Sequence, residues 1–152
     1  MPAGWRIVKA ARAATAFDGE GARLHGGRWN SPGAAVVYTA GSESLAILEL
    51  LVHLQASRLL AAYVSIRATI DRSLVDVVAP ASLPPEWRKF PAPIALQEIG
   101  NRWIAECRSA VLQVPSAVVP AETNFLLNPK HPDFRRVVIA PAAPFELDSR
   151  LE

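Results

Sequence analysis

The sequence predicts an α+β fold, because strand-like and helix-like segments are mixed without the regular βαβ alternation that builds a parallel sheet. Strands are predicted where apolar and polar residues alternate or where apolar residues form short runs. The predicted strands cover residues 5–9, 34–39, 61–68, 74–78, 111–114 and 136–140. Helical spacing marks residues 43–57 and 94–108, which are longer than ordinary strands.

The bulk composition predicts one globular domain that spans residues 1–152. A hydrophobic fraction of 51% with 20% charged residues excludes a disordered chain. The net charge of +2 comes from basic residues interspersed with acidic ones, so direct nucleic-acid binding is not expected. The N-terminus lacks an apolar core of signal-peptide length, and no apolar stretch is long enough to span a membrane. We therefore expect a cytoplasmic protein with no membrane contact.

Proline and glycine divide the chain into the loops between these elements. Residues 10–16 fit either a helical turn or an extended lead-in, and residues 122–128 fit either a strand or a helix. Turns are predicted at residues 17–21, 26–27, 32–33 and 129–132. Residues 80–93 contain five prolines and a tryptophan, which predicts an irregular surface excursion. Residues 145–147 are a possible extension of the sheet.

The two predicted helices differ in the arrangement of their apolar residues. In residues 43–57, which Ser42 is expected to cap, apolar side chains occupy nearly every side, and this pattern predicts a buried helix. In residues 94–108, the residues predicted to face inward are Ile94, Ile99, Trp103 and Cys107. Cys107 is the only cysteine, which excludes an internal disulfide and a cysteine-based zinc site. Its helical context favours a structural thiol over a nucleophile.

Residues 26–49 contain the side chains that best indicate a function. They combine a glycine-rich loop, a strand and an apolar helix. Arg28 precedes Tyr38 by ten residues, and Glu49 follows Tyr38 by eleven. Because loop, strand and helix can fold back on one another, the three side chains can meet in one pocket, which we interpret as the active site.

Arg28 follows two glycines, which allow the backbone to pass close to a ligand. Its planar fork of donors suits a phosphate or pyrophosphate. The alternative is a surface arginine whose stem packs on Trp29. Trp29 and Asn30 add a stacking surface and an amide for a base or ribose, although both could instead only fix the loop.

Glu49 is the stronger indication, because charged residues are rarely buried without a partner and this one lies among apolar neighbours. Burial would raise the pKa of its carboxyl, and a nearby Arg28 would lower it. His53 lies one helical turn further and could also pair with Glu49. A catalytic carboxylate and a structural Glu–His or Glu–Arg pair both remain open at this point.

Ser116 and Asn124 belong to a second polar segment. Ser116 follows a proline and lacks the Gly-x-Ser-x-Gly context of a hydrolase nucleophile, so a turn, cap or ligand-binding role is favoured. The three histidines lack metal-ligand spacing, and neither a Walker loop nor a Rossmann glycine pattern follows a strand. The residues alone indicate a pocket for an anionic ligand with a sugar, such as a nucleotide, without choosing a reaction.

Five motifs in this order resemble the RES-domain family, which takes its name from an arginine, a glutamate and a serine. They are Gly-Gly-Arg-Trp-Asn-Ser-Pro-Gly at 26–33, Tyr-Thr-Ala at 38–40, Leu-Glu-Leu at 48–50, Val-Pro-Ser at 114–116 and Asn-Phe-Leu-Leu-Asn-Pro-Lys-His-Pro at 124–132. Each motif is modest, but five in the family's order are specific, and they extend the resemblance over nearly the whole chain.

The resemblance implies a toxin of a bacterial toxin–antitoxin pair with a fold similar to ADP-ribosyltransferases. That fold has a split, mixed β-sheet core and a cleft for NAD. Family activity is cleavage of NAD at the nicotinamide–ribose bond, with water or phosphate as acceptor in some members and a protein in others. The implied partner is an Xre-type helix-turn-helix antitoxin that covers the active site in a multimeric complex.

The family's naming residues fall on Arg28, Glu49 and Ser116, and Tyr38 is the accompanying aromatic residue. The resemblance implies that these four residues are catalytic. NAD is the substrate and no metal is implied. The residues expected to contact NAD are Arg28, Trp29, Asn30, Tyr38, Ser116 and Asn124. The alternatives to NAD degradation are mono-ADP-ribosylation of a host protein and a non-catalytic module that binds a nucleotide or the antitoxin.

Overall fold

The computed structural model describes residues 1–53 and 62–151. The strands are β1 (Ala3–Lys9), β2 (Val37–Ala40), β3 (Tyr63–Thr69), β4 (Val75–Val77), β5 (Val111–Pro115), β6 (Thr123–Leu127), β7 (Val138–Ile139) and β8 (Ala143–Phe145). The α-helices are α1 (Glu20–His25), α2 (Glu43–His53) and α3 (Ile94–Glu106). Short 3-10 helices lie at Ala10–Thr15, Arg72–Leu74, Pro80–Ser82, Pro132–Arg136 and Ser149–Leu151.

The eight strands form one mixed sheet, in the order β4-β5-β6-β2-β1-β3-β7 with β8 also paired to β3. Strands β4 and β5 are parallel, and the other pairs are antiparallel. The predicted α+β class is therefore confirmed. Strands β1 and β2 pair only at Trp5 and Ala40, so the two halves of the sheet are joined by one residue pair.

One face of the sheet carries Tyr38 and Ala40 on β2, beside Leu126 and Asn124 on β6. We call it the site face. Successive side chains of a strand point to opposite faces, so these four residues lie on the same side. Helix α3 packs over one end of this face in an apolar cluster that includes Trp103, Leu112 and Leu126. Helix α2 packs over the other end, with Leu45 and Ala46 against Ala40. Tyr38 and Asn124 belong to the strands beneath both helices.

The opposite face of the sheet holds a separate apolar cluster that includes Val37, Val111, Phe125 and Leu127. These residues alternate along their strands with those of the site face. The continuous apolar runs of β5 and β6 are explained by this arrangement, because both faces of the two strands are covered.

Helix α2 differs from the prediction of an all-round buried helix. Leu45 and Ala46 are buried, but Leu48 is 41% and Val52 60% exposed. On its inner side the helix packs mainly on β1 and β2, and none of the apolar clusters among the described residues includes Leu48 or Val52. The predicted end at residue 57 lies outside the described residues, which stop at His53 in this helix.

Helix α3 is present, but its predicted inner face is partly wrong. The buried residues are Leu96, Gly100 and Trp103, whereas Ile94 is 72% exposed at the first turn. Cys107 is exposed and ends the helix in the left-handed conformation, with φ 50°. The spacing of 96, 100 and 103 keeps one face inward, and Ile94 lies on the opposite face. Position 107 continues the spacing of the inner face, but the helix ends at Glu106 and Cys107 turns outward.

The remaining differences concern short elements. Residues 10–16 contain a 3-10 helix, residues 122–128 contain β6, and residues 80–93 hold only one short 3-10 helix before α3, as an irregular excursion predicts. Helix α1 follows the predicted turn at 17–21 and was not anticipated. The predicted strand at 136–140 is reduced to β7, and the possible extension at 145–147 shares only Phe145 with β8. No described helix combines the length and apolar character needed to cross a membrane.

Candidate active site

The carboxylate of Glu49 is held by donors from two other elements. Its Oε1 atom accepts hydrogen bonds from Ser116 Oγ and Asn124 Nδ2, both at 3.0 Å. Glu49 lies on α2, Ser116 follows β5, and Asn124 lies on β6. Within the described residues, no hydrogen bond engages the second oxygen, Oε2. The carboxylate is thus fixed through one of its two oxygens.

Ser116 is fully buried, and its hydroxyl is used completely by the protein. Oγ accepts hydrogen bonds from the amides of Val118 and Val119, both at 3.1 Å, in a turn that follows β5. A hydroxyl has one proton, and this one is donated to Glu49. The arrangement suits a residue that orients the carboxylate.

Tyr38 is fixed by the glycine-rich loop. Its hydroxyl donates to Asn30 Oδ1 at 2.6 Å and accepts from the Trp29 amide at 3.0 Å. Burial raises the pKa of Tyr38, so the phenol is neutral at physiological pH. A Cβ added at Gly27 would lie 2.6 Å from the Tyr38 hydroxyl, which explains why a residue without a side chain stands there.

Trp29 and Asn30 brace the loop from within the protein. Trp29 is 2% exposed and belongs to the apolar cluster beneath α3. Asn30 is fully buried, and its Nδ2 atom donates to the carbonyls of Ala22 and Ser31 at 3.0 and 3.1 Å. Both side chains are therefore engaged in fixing the loop, which was the alternative to a ligand contact.

Helix α3 anchors the same loop from outside. Gln97 Nε2 donates to the Gly27 carbonyl at 3.2 Å, and Asn101 exchanges two hydrogen bonds of 2.9 Å with Ser31. Helix and loop approach so closely that a Cβ at Gly100 would overlap the carbonyl of Trp29. Arg28 therefore projects from a backbone that is held on several sides.

The guanidinium of Arg28 is partly buried, and its Nη1 atom donates to the carbonyls of Trp87 and Lys89 at 2.9 and 3.0 Å. Burial lowers the pKa of Arg28, and the nearby Glu49 carboxylate opposes that shift. The group remains a cation at neutral pH, as arginine does in proteins. No hydrogen bond engages Nε or Nη2 within the described residues, so these donors are available to a ligand.

The two structural alternatives for Glu49 are not observed. Across residues 1–53 and 62–151, no ion pair joins Glu49 to Arg28 or to His53. His53 is exposed at the end of α2. Glu49 and Arg28 are near enough to interact electrostatically but are held by different partners. The cation and the carboxylate therefore lie near one another without forming a salt bridge.

Arg6 is a residue beside the site that sequence reasoning missed. It lies on β1, and its Nη1 atom donates to the Tyr38 carbonyl at 3.0 Å. Its buried Nε atom has no hydrogen-bond partner in the part of the chain that the structure describes. Burial lowers the pKa of Arg6. A cavity of about 270 Å³ is lined by Arg6, Ile7, Val8, Lys9, Arg12, Leu50, His53 and Tyr63. The sequence feature that could have identified Arg6 is its position between the apolar residues Trp5 and Ile7 in a predicted strand.

Metal ligands are not grouped in the described part of the chain. No cluster of three or more histidine, cysteine, aspartate or glutamate side chains suited to a metal ion occurs there. The two cavities described for this structure, of about 230 and 270 Å³, include none of Arg28, Tyr38, Glu49 or Ser116.

The model of the RES domain family matches residues 3–148. The chain belongs to the RES family. A relative named Toxin Res from Yersinia enterocolitica is 40% identical over 150 residues, covering 97% of this chain and 98% of the relative. A relative named Prs ADP-ribosylating toxin from a Sphingobium species is 43% identical over 138 residues, covering 88% and 86%. The resemblance drawn from the five motifs is confirmed.

A solved structure, the MbcT–MbcA toxin–antitoxin complex of M. tuberculosis, contains a chain with a similar fold. The TM-score is 0.77 at 20% sequence identity, with 95% of this chain and 84% of that chain covered. At this identity the similarity concerns the fold alone. It supports the expected single mixed sheet with few helices, and the roles of individual residues remain predictions.

Proposed function

We propose that this RES-family chain is the toxin of a toxin–antitoxin pair and that it cleaves NAD at the nicotinamide–ribose bond. The observation that carries the proposal is the hydrogen bonding of Glu49. Its Oε1 atom is fixed by Ser116 and Asn124, and its Oε2 atom accepts no hydrogen bond from residues 1–53 and 62–151. The names of the similar proteins support the biological setting, since they include Toxin Res and an ADP-ribosylating toxin.

The proposed reaction breaks the C1′–N bond, whose electron pair goes to the pyridinium nitrogen and gives neutral nicotinamide. The ribose gains oxocarbenium character in the transition state, as in glycoside hydrolysis. Glu49 stabilises that positive charge and binds a ribose hydroxyl through Oε2. Water then adds to C1′ and loses a proton to solvent. The leaving group is cationic before it departs, so no general acid is required.

The other residues are assigned binding and orienting roles. Arg28 holds the pyrophosphate or its adjacent ribose with its free donors, a task to which the guanidinium fork is suited. Tyr38 provides the aromatic ring for nicotinamide and is kept neutral by burial. Ser116 and Asn124 hold Glu49 in position through their hydrogen bonds. In this scheme Trp29 and Asn30 act through the loop.

The acceptor of ADP-ribose separates two candidate reactions. Water or phosphate as acceptor makes the protein an NAD-degrading enzyme. Mono-ADP-ribosylation of a protein is the second candidate, and it is favoured by the 43% identical relative named Prs ADP-ribosylating toxin. A module that binds a nucleotide or the antitoxin without turnover is the non-enzymatic alternative.

Incubation with NAD labelled in the adenylate distinguishes these cases. Free labelled ADP-ribose, or its phosphate ester when phosphate is supplied, in the absence of other protein supports NAD degradation. Label that becomes attached to a protein only when bacterial extract is added supports transfer. Binding of NAD without product under either condition would contradict both enzymatic candidates.

The proposed partner is an Xre-type helix-turn-helix antitoxin that covers the cleft in a multimeric cytoplasmic complex. The similar fold in a toxin–antitoxin complex supports an antitoxin partner. The test is co-expression with the adjacent reading frame. Wild type alone should arrest a bacterial host, co-expression should restore growth, and the two chains should co-purify. Equal growth of cells that express wild type and Glu49→Gln would contradict the toxin assignment.

A further inference from the structure

Residues 84–90, which we call the strap, contact both sides of the candidate active site. On one side, the carbonyls of Trp87 and Lys89 accept hydrogen bonds from Arg28. On the other side, Arg88 Nε donates to the carbonyl of Ala117 at 3.0 Å. Ala117 directly follows Ser116 in the turn that orients Glu49. One short segment therefore joins the loop of Arg28 to the turn of Ser116.

The strap has its own internal restraints. The amides of Trp87 and Lys89 donate to the carbonyls of Pro84 and Glu86, at 3.1 and 3.0 Å. Trp87 also packs against the apolar cluster that contains Trp29 and Trp103. Because these turns fix the direction of the Trp87 and Lys89 carbonyls, the two acceptors are presented to Arg28 in a defined geometry.

Arg28 depends on the strap for its orientation. The two strap carbonyls are the only hydrogen-bond acceptors of its guanidinium within residues 1–53 and 62–151. Both bonds use Nη1, so the rest of the fork remains available to a ligand. A long arginine side chain loses substantial conformational freedom when it binds a ligand. If the strap orients Arg28 before the ligand binds, less of that freedom is lost on binding.

We propose that Arg88 is a positioning residue. Its hydrogen bond to Ala117 fixes the strap to the Ser116 turn, and the fixed strap orients Arg28 for its anionic ligand. The identity of that ligand as NAD rests on the proposed function. The strap would explain the irregular, proline-rich segment between β4 and α3. Its prolines restrict the backbone, and its carbonyls serve a site formed mainly by other elements.

The first test is steady-state release of nicotinamide from NAD by wild type, Arg88→Ala and Arg88→Lys. Arg88→Ala should raise KM about fivefold, the change that loss of one ordinary hydrogen bond produces. Its kcat should stay within about twofold, because Glu49, Ser116 and Asn124 keep their contacts. Arg88→Lys keeps a cationic donor and should recover part of the loss.

Arg135→Ala is the matched control, because it removes the same charge from an exposed position in the Pro132–Arg136 helix. Its KM and kcat should equal those of wild type. An unchanged KM in Arg88→Ala would overturn the proposal. So would an equal rise in Arg135→Ala, which would indicate a general effect of net charge.

Amide hydrogen exchange tests the strap without relying on NAD chemistry. Arg88→Ala should speed exchange in residues 84–90 and also in residues 26–30, because Arg28 links the two segments. Unchanged exchange in residues 26–30 would overturn the positioning role of Arg88, whether or not the variant retains activity. If the exchange is coupled but wild type cleaves no NAD, the strap stands and the proposed reaction fails.

Discussion

Glu49 and Arg28 face one another in the candidate site but are held in different ways. Glu49 is positioned by the side chains of Ser116, at the end of β5, and Asn124, on the neighbouring strand β6. Arg28 is positioned by two backbone carbonyls of the strap. Side-chain donors can be removed singly, whereas backbone acceptors cannot. Replacing Ser116 or Asn124 should therefore change the orientation of the Glu49 carboxylate. The orientation of the Arg28 guanidinium should change only when the strap as a whole is displaced.

The largest effect is expected when the carboxylate itself is neutralised. Glu49→Gln keeps the shape and an oxygen for the two donors but removes the charge that stabilises the oxocarbenium ion. We expect kcat for nicotinamide release to fall about a thousandfold. Glu98→Gln, an exposed replacement on α3, is the control and should behave as wild type. Turnover by Glu49→Gln within about tenfold of wild type would remove Glu49 from the chemistry.

A smaller effect is expected at the cation. Arg28→Lys keeps the charge but has no fork that can reach the strap carbonyls and a ligand together. The KM for NAD should rise about thirtyfold, corresponding to one or two lost charge-assisted hydrogen bonds, with a lesser change in kcat. Isothermal titration of Glu49→Gln with NAD, with and without Arg28→Lys, measures the same loss as affinity. Equal affinities would mean that Arg28 only stabilises its loop and does not bind the ligand.

The donors to Glu49 should have intermediate effects that are not additive. Asn124→Ala removes one of the two bonds to Oε1, and we expect kcat to fall about tenfold. Its effect on stability should be small, because Asn124 Oδ1 is already buried without a partner. Ser116→Ala should lower kcat similarly and also reduce stability by about 1–3 kcal/mol, since two amides lose their acceptor.

A double-mutant cycle on Ser116 and Asn124 measures whether their effects on activity are coupled. Because Ser116 and Asn124 bind the same oxygen, the double variant should lose less activity than the product of the single losses. Independent effects would mean that the two side chains act on different steps. Thermal unfolding of each variant separates a loss of orientation from a loss of folded protein.

The last prediction, with the smallest effect at neutral pH, is the contribution of the buried Tyr38 phenol to the pH dependence of stability. Burial raises its pKa above the unfolded value, so the native state retains a proton that the unfolded chain loses as pH rises past about 10. Stability should fall above that pH, by up to about 1.4 kcal/mol per pH unit for one proton. Tyr38→Phe should be less stable at pH 7 but show a shallower decline between pH 9 and 11. An unchanged slope would assign the alkaline loss to other groups.

The α+β class and most strands could be predicted because they depend on local patterns. The 26–49 stretch was also correctly identified as a place where loop, strand and helix converge. The inner face of α3 was predicted in part, since Trp103 is buried and Ile99 packs against the same apolar cluster. Ile94 was wrongly placed on that face, because residues 94–108 have more apolar positions than one face needs and Leu96 competes with Ile94. The exposure of Leu48 and Val52 was not predicted, because the apolar pattern of the helix does not show which of its sides another element covers.

Long-range contacts account for the rest of the site. No local signal in residues 80–93 indicates that the Trp87 and Lys89 carbonyls bind an arginine about sixty residues earlier in the chain. The burial of Trp29 and Asn30 follows from close packing of the loop on α3. The motif resemblance identified Ser116 as a companion of Glu49, and the structure gives the hydrogen bond that joins them.

The most direct test of the central claim is proton NMR of NAD mixed with the purified, folded protein in phosphate-free buffer. The account predicts that nicotinamide appears in step with the loss of NAD for wild type. Under the same conditions, Glu49→Gln, confirmed as folded by circular dichroism, should leave the NAD spectrum unchanged. A folded wild-type protein that releases no nicotinamide, with or without bacterial extract, would contradict the account.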